Sequence, residues 1–142
     1  MKQEFNGIEK RLERLRDCLN KLEPLADKSL DEINEEPYLQ DVIERNFEVA
    51  AQSCIDISNR IISLEDLEKP SDYYQAIERL GESGIVPRGF AEDLAPIAGF
   101  RNILVHQYLE VDQEELYQYL QNLEQLYQFL KYIKEWLAEK KE

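Results

Sequence analysis

Residues 37–64 read PYLQDVIERNFEVAAQSCIDISNRIISL, and they carry the longest continuous apolar pattern in the first half of the chain. Apolar side chains recur in this stretch at spacings of three and four for about seven turns, as on one face of an α-helix. Pro37 suits the first position of a helix, where a backbone N–H has no partner within the helix. We therefore predict one long helix over residues 37–64.

The same spacing predicts four more helices around this one, whereas the rhythm of residues 26–36 predicts only a loop or a short helical turn. No repeat, low-complexity tract or shift in composition marks a second domain. The predicted fold is all-α, a single domain over residues 1–142 formed by an antiparallel bundle of about five helices. The four additional helices are predicted at residues 5–22, 72–82, 88–109 and from 112 almost to the C-terminus.

Local chemistry predicts several of the helix ends. Ser71 is a suitable N-cap, and Gly84 is suited to terminate the helix that follows Ser71. Asp112, with Glu115 three residues later, has the pattern of a capping box. Pro96 removes one backbone hydrogen bond from the helix at residues 88–109, so we expect a kink there.

The helix predicted at residues 88–109 contains the sequence RNILVHQY, residues 101–108, with the only histidine of the chain. Each residue of a helix advances by about 100°, so Arg101, Val105 and Tyr108 share one stripe. A guanidinium is therefore expected on a stripe that otherwise faces the core. The same stripe continues backwards through the apolar residues Phe90, Leu94 and Ala98.

Asn102 and His106 form a second stripe beside the first, and Arg101 is roughly 140° from His106 around the helix. One helix does not easily bring Arg101 onto His106, so a second helix or a second subunit is expected to complete a pocket. Asp56 lies just off the apolar stripe of the long helix, where its carboxylate either meets Arg101 or stays solvated. The residues alone also leave open a structural ion pair for Arg101 and a plain surface position for His106.

The spacing of the polar residues in this motif resembles the signature of the HEPN superfamily. Within that superfamily it is similar to the HepT-like ribonuclease toxins that are paired with MNT nucleotidyltransferase antitoxins. The motif shows no departure from the family pattern, and the likeness covers about residues 8–135. The residues that carry the resemblance are Arg101, Asn102, His106 and Tyr108, together with Phe100, CIDI at residues 54–57 and GESGI at residues 81–85.

This resemblance implies a HEPN-like, dimeric fold and a metal-independent endoribonuclease that works without a cofactor. It implies the toxin of a type VII-like toxin-antitoxin pair, a homodimer that cleaves RNA to a 2′,3′-cyclic phosphate and a 5′-hydroxyl. By the same resemblance, Arg101 and His106 are the catalytic residues. Tyr108 is then the hydroxyl to which an MNT-type nucleotidyltransferase antitoxin adds AMP.

The chemistry of RNA cleavage suits these residue types. The 2′-hydroxyl is the nucleophile, so an enzyme must supply a proton acceptor and donor near neutral pH and positive charge on the pentavalent phosphate. The imidazole of His106 supplies the first, and the planar donor fork of Arg101 supplies the second. Asn102 is expected to orient the imidazole or to donate to phosphate, and Asp56 is the second supporting residue.

The net charge of the chain limits the kinds of partner that it is expected to bind. The chain has 17 Lys and Arg residues against 30 Asp and Glu residues, a formal net charge of −13. Such a charge repels phosphate backbones at long range and argues against a general nucleic-acid-binding module. Contact with RNA is therefore expected to be local, and no DNA partner is expected.

Cys18 and Cys54 fall on apolar stripes, as buried reduced thiols do, and they favour a reducing cytoplasm. The sequence contains no apolar run of about 18 residues and no signal-peptide core, so neither a membrane partner nor export is expected. One histidine and two widely separated cysteines argue against a zinc site, and no metal is expected. The sequence also lacks a Gly-rich phosphate loop.

Two other classes of function remain open at this point. A non-catalytic helical dimer would use its acidic faces only to bind an antitoxin or another partner, and the net charge favours it. A nucleotide-binding helical domain would share the pocket but would bind free nucleotide without cleaving RNA.

Overall fold

The computed structural model describes the backbone of residues 2–141 and the side chains of residues 5–107 and 109–141. Within these residues the chain is all-helical, as predicted. The α-helices are α1 (Lys2–Leu22), α2 (Leu30–Asn34), α3 (Pro37–Leu64), α4 (Tyr73–Glu82), α5 (Arg88–Leu94), α6 (Ile97–His106), α7 (Gln113–Gln121) and α8 (Glu124–Lys141). Two 3-10 helices are formed by Glu23–Asp27 and Tyr108–Glu110.

Helices α1, α3 and α8 form the long part of the bundle. The start of α1 lies beside the end of α3, where Arg11 is 3.6 Å from Asp56. The end of α8 also lies beside the start of α1, where Lys141 pairs with Glu9. Helix α1 is therefore antiparallel to both of the others, so α3 and α8 run in the same direction.

The predicted helix over residues 37–64 is confirmed as α3, which spans 28 residues without interruption. It contributes the largest share of the buried side chains because it has neighbours on several sides. Its polar core residues are satisfied: Ser53 and Ser58 each donate to the carbonyl four residues earlier at 2.8 Å. The largest fully buried side chains of the whole core are Phe47, Phe129, Ile8, Leu15, Leu19, Leu22, Ile43, Ile55, Ile57, Ile61, Ile77 and Leu80.

The predicted count of about five helices is too low. Part of the segment 26–36 forms α2, where Ser29 and Glu32 make a reciprocal capping box. The helix predicted from residue 112 is divided into α7 and α8, because Asn122 leaves the helical conformation with φ −119° and ψ 39°. The helix predicted over residues 88–109 is also divided, into α5 and α6.

Pro96 interrupts the helix predicted over residues 88–109, as expected, and divides it into α5 and α6, although Ala95 and Pro96 keep helical backbone angles. Proline lacks the N–H that would continue the hydrogen-bond ladder, so α5 ends at Leu94 and α6 begins at Ile97. Helix α6 then ends at His106, three residues before the predicted end, because Gln107 has φ −133° and ψ 45°. The predicted stripe through Arg101 and Tyr108 is therefore wrong, since Tyr108 begins the following 3-10 helix.

Short polar residues terminate the helices near the site. Asp72, and not Ser71 as predicted, caps α4 by accepting from the backbone N–H of Gln75 at 2.8 Å. Gly84 follows α4 with φ +79°, a left-handed conformation that glycine adopts without steric cost, which confirms its predicted role. Asp112 caps α7 as predicted, because its side chain accepts from the backbone N–H groups of Glu114 and Glu115, but among the described residues Glu115 does not return the second hydrogen bond of a capping box.

Both cysteines are free and buried, as expected from their place on apolar stripes. Burial raises the pKa of the Cys18 thiol and of the Cys54 thiol, so both favour the protonated form. Among the helices described, none has the length and apolar character that crossing a membrane would require.

Candidate functional site

Helix α6 is held in place by the aromatic residue that precedes Arg101. Phe100 stacks on Tyr119 with ring centroids 4.5 Å apart, and Tyr119 makes an edge contact with Phe47 at 6.1 Å. The buried residues of α6 are Ile97, Ala98, Phe100 and Leu104. These contacts fix the rotation of the helix and leave the next residue, Arg101, at the edge of the core.

Arg101 is half-buried, so its predicted place on a core-facing stripe is confirmed only in part: Leu94 and Ala98 are buried, whereas Arg101 lies at the edge of the core. That prediction assumed one continuous helix from residue 88, but the break at Pro96 separates α6 from the stripe of α5. The guanidinium lies 5.6 Å from the ring centroid of Tyr73, at the start of α4. Nη1 donates to Oδ1 of Asn102 at 3.0 Å, whereas the buried Nε has no hydrogen-bond partner among the described residues.

Arg101 is therefore positioned without being neutralised. Among the described side chains, no carboxylate lies within 4.0 Å of its guanidinium nitrogens. A cation held by an aromatic ring and an amide keeps its full charge for an anionic ligand. This arrangement suits a residue that binds phosphate better than it suits one that stabilises the fold.

His106 is the last residue of α6, and its imidazole is exposed. It lies five positions after Arg101, which corresponds to a rotation of roughly 140° and a rise of about 7.5 Å along the helix. The single chain does not bring these two side chains to one side of the helix. Asn102 is also exposed, and its Oδ1 accepts from Arg101, so in this structure it supports the guanidinium.

Asp56 lies near the same site but pairs with other groups. One carboxylate oxygen is 3.6 Å from Nε of Arg11, and the other accepts from Gln52 at 2.8 Å. Within the described residues, Asp56 and Arg101 make no ion pair, since their charged atoms are more than 4.0 Å apart. Both residues nevertheless line one groove.

We call this groove the arginine groove. It is formed by α1, α3 and α6, and its volume is about 350 Å³. Four of its residues are arginines, an unusual concentration in a chain of net charge −13. Its lining consists of Arg11, Arg14, Arg45, Glu48, Val49, Gln52, Ser53, Asp56 and Arg101.

The side chain of Tyr108 lies outside the described residues. Its backbone begins the 3-10 helix Tyr108–Glu110, directly after α6 and Gln107. The next residue, Leu109, is 86% exposed. The chain around Tyr108 is therefore at the surface, beside the end of the helix that carries His106.

The sequence did not single out Tyr73, Arg14 or Arg45. The concentration of arginines in an acidic chain was the one available signal, but the arginines occur on different helices. Their convergence depends on how α1 packs against α3, and the contact with Tyr73 depends on how α4 packs against α6. The remaining tyrosines of α7 and α8 pack or bond internally, as predicted: Tyr117 donates to the carbonyl of Lys28 at 2.8 Å, and Tyr132 contacts Phe90 with ring centroids 5.0 Å apart.

No group of three or more His, Cys, Asp or Glu side chains in the described part of the chain could hold a metal ion. The polar groups at the site are instead guanidinium, imidazole and amide groups. Guanidinium and amide groups can bind a phosphate and donate hydrogen bonds to it, and an imidazole can transfer a proton.

Comparison with known proteins gives the family. The family profile described as "Ribonuclease HepT-like" matches residues 8–133. A tRNA nuclease HepT from Aphanizomenon flos-aquae is 32% identical over 110 residues, which are 78% of this chain and 75% of that protein. An mRNA nuclease HepT from Shewanella oneidensis is 30% identical over 97 residues, which are 68% of this chain and 73% of that protein.

The fold has a close counterpart among solved structures. It is similar to a tri-AMPylated Shewanella oneidensis HEPN toxin in complex with MNT antitoxin, with a TM-score of 0.82 and 24% sequence identity. The alignment covers 91% of this chain and 97% of that chain. The structural likeness supports the fold, and the profile and the two nucleases support the family: the chain belongs to the HepT-like ribonucleases.

Proposed function

We propose that this chain is a metal-independent endoribonuclease and the toxin of a pair whose antitoxin is an MNT-type nucleotidyltransferase. The observation that carries the proposal is Arg101, a half-buried arginine that is positioned by Tyr73 and Asn102 without a carboxylate partner among the described residues. Two relatives described as tRNA and mRNA nucleases support RNA as the substrate.

In the proposed reaction the 2′-oxygen of a ribose attacks the adjacent phosphorus, and the bond from phosphorus to the 5′-oxygen breaks. His106 accepts the proton of the 2′-hydroxyl, and an imidazolium returns a proton to the departing 5′-oxygen. Arg101 donates to the phosphoryl oxygens, whose negative charge increases in the transition state. The products are a 2′,3′-cyclic phosphate and a 5′-hydroxyl.

A homodimer is part of the proposal because Arg101 and His106 diverge around α6. Two copies of the motif that face one cleft would supply both guanidinium and imidazole groups to one phosphate. The exposed Leu109, next to the motif, offers apolar surface for such a contact. The imidazole of one copy would then act as the base while the other acts as the acid.

Regulation by AMP addition to Tyr108 completes the proposal. The structural neighbour is described as a tri-AMPylated toxin with MNT antitoxin, which supports this form of control. An added phosphodiester brings a negative charge close to the end of α6. That charge would pair with Arg101 and occupy the place of the substrate phosphate.

The test is cleavage of single-stranded RNA by the purified chain in the presence of EDTA. Replacing His106→Ala should lower the rate by about 10²- to 10⁴-fold, because it removes the proton-transfer group. The matched control is Gln107→Ala, which alters the neighbouring exposed side chain and should keep wild-type activity. The products should carry 2′,3′-cyclic phosphate ends.

Cleavage that EDTA abolishes, or that survives His106→Ala unchanged, would contradict the proposed mechanism. A wild-type chain that binds RNA or an antitoxin without cleaving would favour the non-catalytic binding function, with which the net charge of −13 is compatible. Light scattering on the same preparation gives the oligomeric state, and an active stable monomer would remove the dimer from the proposal.

A further inference from the structure

We propose that the arginine groove binds the RNA backbone beside the cleaved phosphodiester, with Arg14 and Arg45 as its phosphate-contacting residues. This inference rests on the proposed ribonuclease function and extends it. It assigns a substrate-binding surface to α1 and α3, outside the motif on α6.

The charges within the groove favour an anion. Its two carboxylates are already paired, Asp56 with Arg11 at 3.6 Å and Glu48 with Arg45 at 2.7 Å. Arg14 and Arg101 have no carboxylate within 4.0 Å among the described residues, so the groove keeps a local excess of positive charge. Acidic side chains more than about 10 Å away are largely screened at 0.1 M salt, so the distant acidic faces of the chain contribute little to the field in the groove.

Arg45 is also available to a ligand. Its partner Glu48 is three residues away on the same helix, and the Arg45 side chain is 66% exposed. Exposed ion pairs of this kind are worth little, because water and salt compete with them. A phosphodiester can therefore replace Glu48 as the partner of Arg45 at small cost.

The dimensions of the groove suit a chain of phosphates. Arg45 and Asp56 are about three turns apart on α3, roughly 16 Å along the helix axis. Arg11 and Arg14 follow the opposite wall on α1, and Arg101 contributes from α6. A single phosphate would occupy only part of this length, whereas an RNA strand bound at Arg101 can continue along it.

Two buried polar atoms add a second, independent observation. Nε of Arg101 and Oε1 of Gln52 are the buried side-chain atoms without hydrogen-bond partners among the described residues, and both residues line the groove. The first is a donor and the second an acceptor. An RNA backbone supplies a partner for each atom once these flexible side chains turn toward it. Its phosphate oxygens can accept from Nε of Arg101, and its ribose hydroxyls can donate to Oε1 of Gln52.

The experiment compares Arg14→Gln with Arg16→Gln. Both arginines are exposed residues of α1, and both substitutions change the net charge equally. Arg16 faces a different groove, beside Lys134 and Lys141 of α8, so it is the matched control. Two substrates are used, a single-stranded RNA of about twelve nucleotides and a dinucleotide that is too short to extend along the groove.

For the long RNA, Arg14→Gln should raise KM about tenfold while kcat stays within about twofold, and Arg16→Gln should match wild type. The slope of log affinity against log salt should fall in magnitude by about 0.7, the value for one phosphate contact on a single strand. With the dinucleotide, the two variants should not differ.

Equal KM values for the two variants on the long RNA would overturn the inference. A defect of Arg14→Gln that is as large on the dinucleotide would also overturn it, because Arg14 would then act at the cleaved phosphate. Binding of the same long RNA with 2′-O-methyl groups, which cannot be cleaved, separates the groove from the catalytic function. If the wild-type chain binds this RNA through Arg14 but cleaves no RNA, the proposed nuclease activity is refuted and the proposed RNA binding by the groove is retained.

Discussion

Helix α3 and helix α6 both pack against the core, but they differ in the hydrogen bonding of their buried polar groups. In α3 the buried Ser58 donates to the carbonyl of Cys54 at 2.8 Å, and the buried Asn46 donates to the carbonyl of Val42 at 2.8 Å. In α6 the buried Nε of Arg101 has no such partner among the described residues, and on α3 the same holds only for Oε1 of Gln52, which lines the arginine groove with Arg101. Native proteins rarely leave buried polar atoms unpaired, so an exception is informative about function.

The two helices also differ in regularity. Helix α3 runs for 28 residues, whereas α6 has 10 and is bounded by Pro96 and by the non-helical Gln107. Long regular helices bury many apolar side chains, whereas short interrupted helices can present side chains at their ends. The difference indicates that the buried face of α3 serves stability and that α6 presents the motif, and substitutions can separate the two contributions.

The largest effects should come from one substitution in each helix. Ile61→Ala removes a fully buried side chain of α3 and should lower the free energy of unfolding by about 2–5 kcal/mol. Arg101→Ala should change it by less than about 1 kcal/mol but should lower the cleavage rate by about 10²- to 10³-fold. Urea unfolding and single-turnover cleavage measure the two quantities. If Arg101→Ala destabilised the chain as much as Ile61→Ala, Arg101 would be a structural residue and the comparison would fail.

A smaller effect is expected from modification of Tyr108. Co-expression with the cognate MNT-type enzyme and ATP should add AMP to Tyr108 and slow RNA cleavage by about 10- to 100-fold without unfolding, because the added phosphate competes for Arg101. Tyr108→Phe should escape the change in mass, and the control Tyr38→Phe, at another exposed tyrosine, should still be modified. Intact-mass and peptide spectra locate the adduct. An adduct on Tyr38, or none with an active partner enzyme, would refute the assignment.

The smallest effect concerns the ring beneath Arg101. A cation–π contact at an exposed site is worth about 0.5–1 kcal/mol, so Tyr73→Leu should lower kcat about two- to fivefold. Tyr73→Phe keeps the ring and should restore the rate. Tyr74→Leu removes the neighbouring and equally exposed tyrosine and should have no effect. If Tyr73→Phe were as slow as Tyr73→Leu, the ring would not be what positions Arg101.

Much of the fold could be predicted because α1, α3 and α4 each follow one apolar rhythm. The caps at Gly84 and Asp112 depend on backbone geometry within a few residues, so they were also predictable. The predictions failed where one residue ended a helix that the apolar rhythm would have continued. Pro96 divided α5 from α6, and Gln107 separated Tyr108 from the stripe of Arg101.

The candidate site was only partly predictable for a related reason. The motif could be found because Arg101, Asn102 and His106 are close together in the sequence. The pairing of Asp56 with Arg11 could not be predicted from the sequence, because their contact depends on the packing of α1 against α3. The catalytic roles of Arg101 and His106 and the modification of Tyr108 stay predictions until the experiments above are done.

The helical class, the long helix α3 and the motif on α6 follow from the amino-acid sequence, because helix periodicity and motif spacing are local properties. The packing of the helices sets which charged side chains meet. Arg11, Arg14, Arg45 and Arg101 come from three helices and line one groove, while Tyr73 comes from a fourth and lies against Arg101. Side-chain proximity across helices depends on how their apolar faces pack together, and no spacing along a single chain specifies that arrangement.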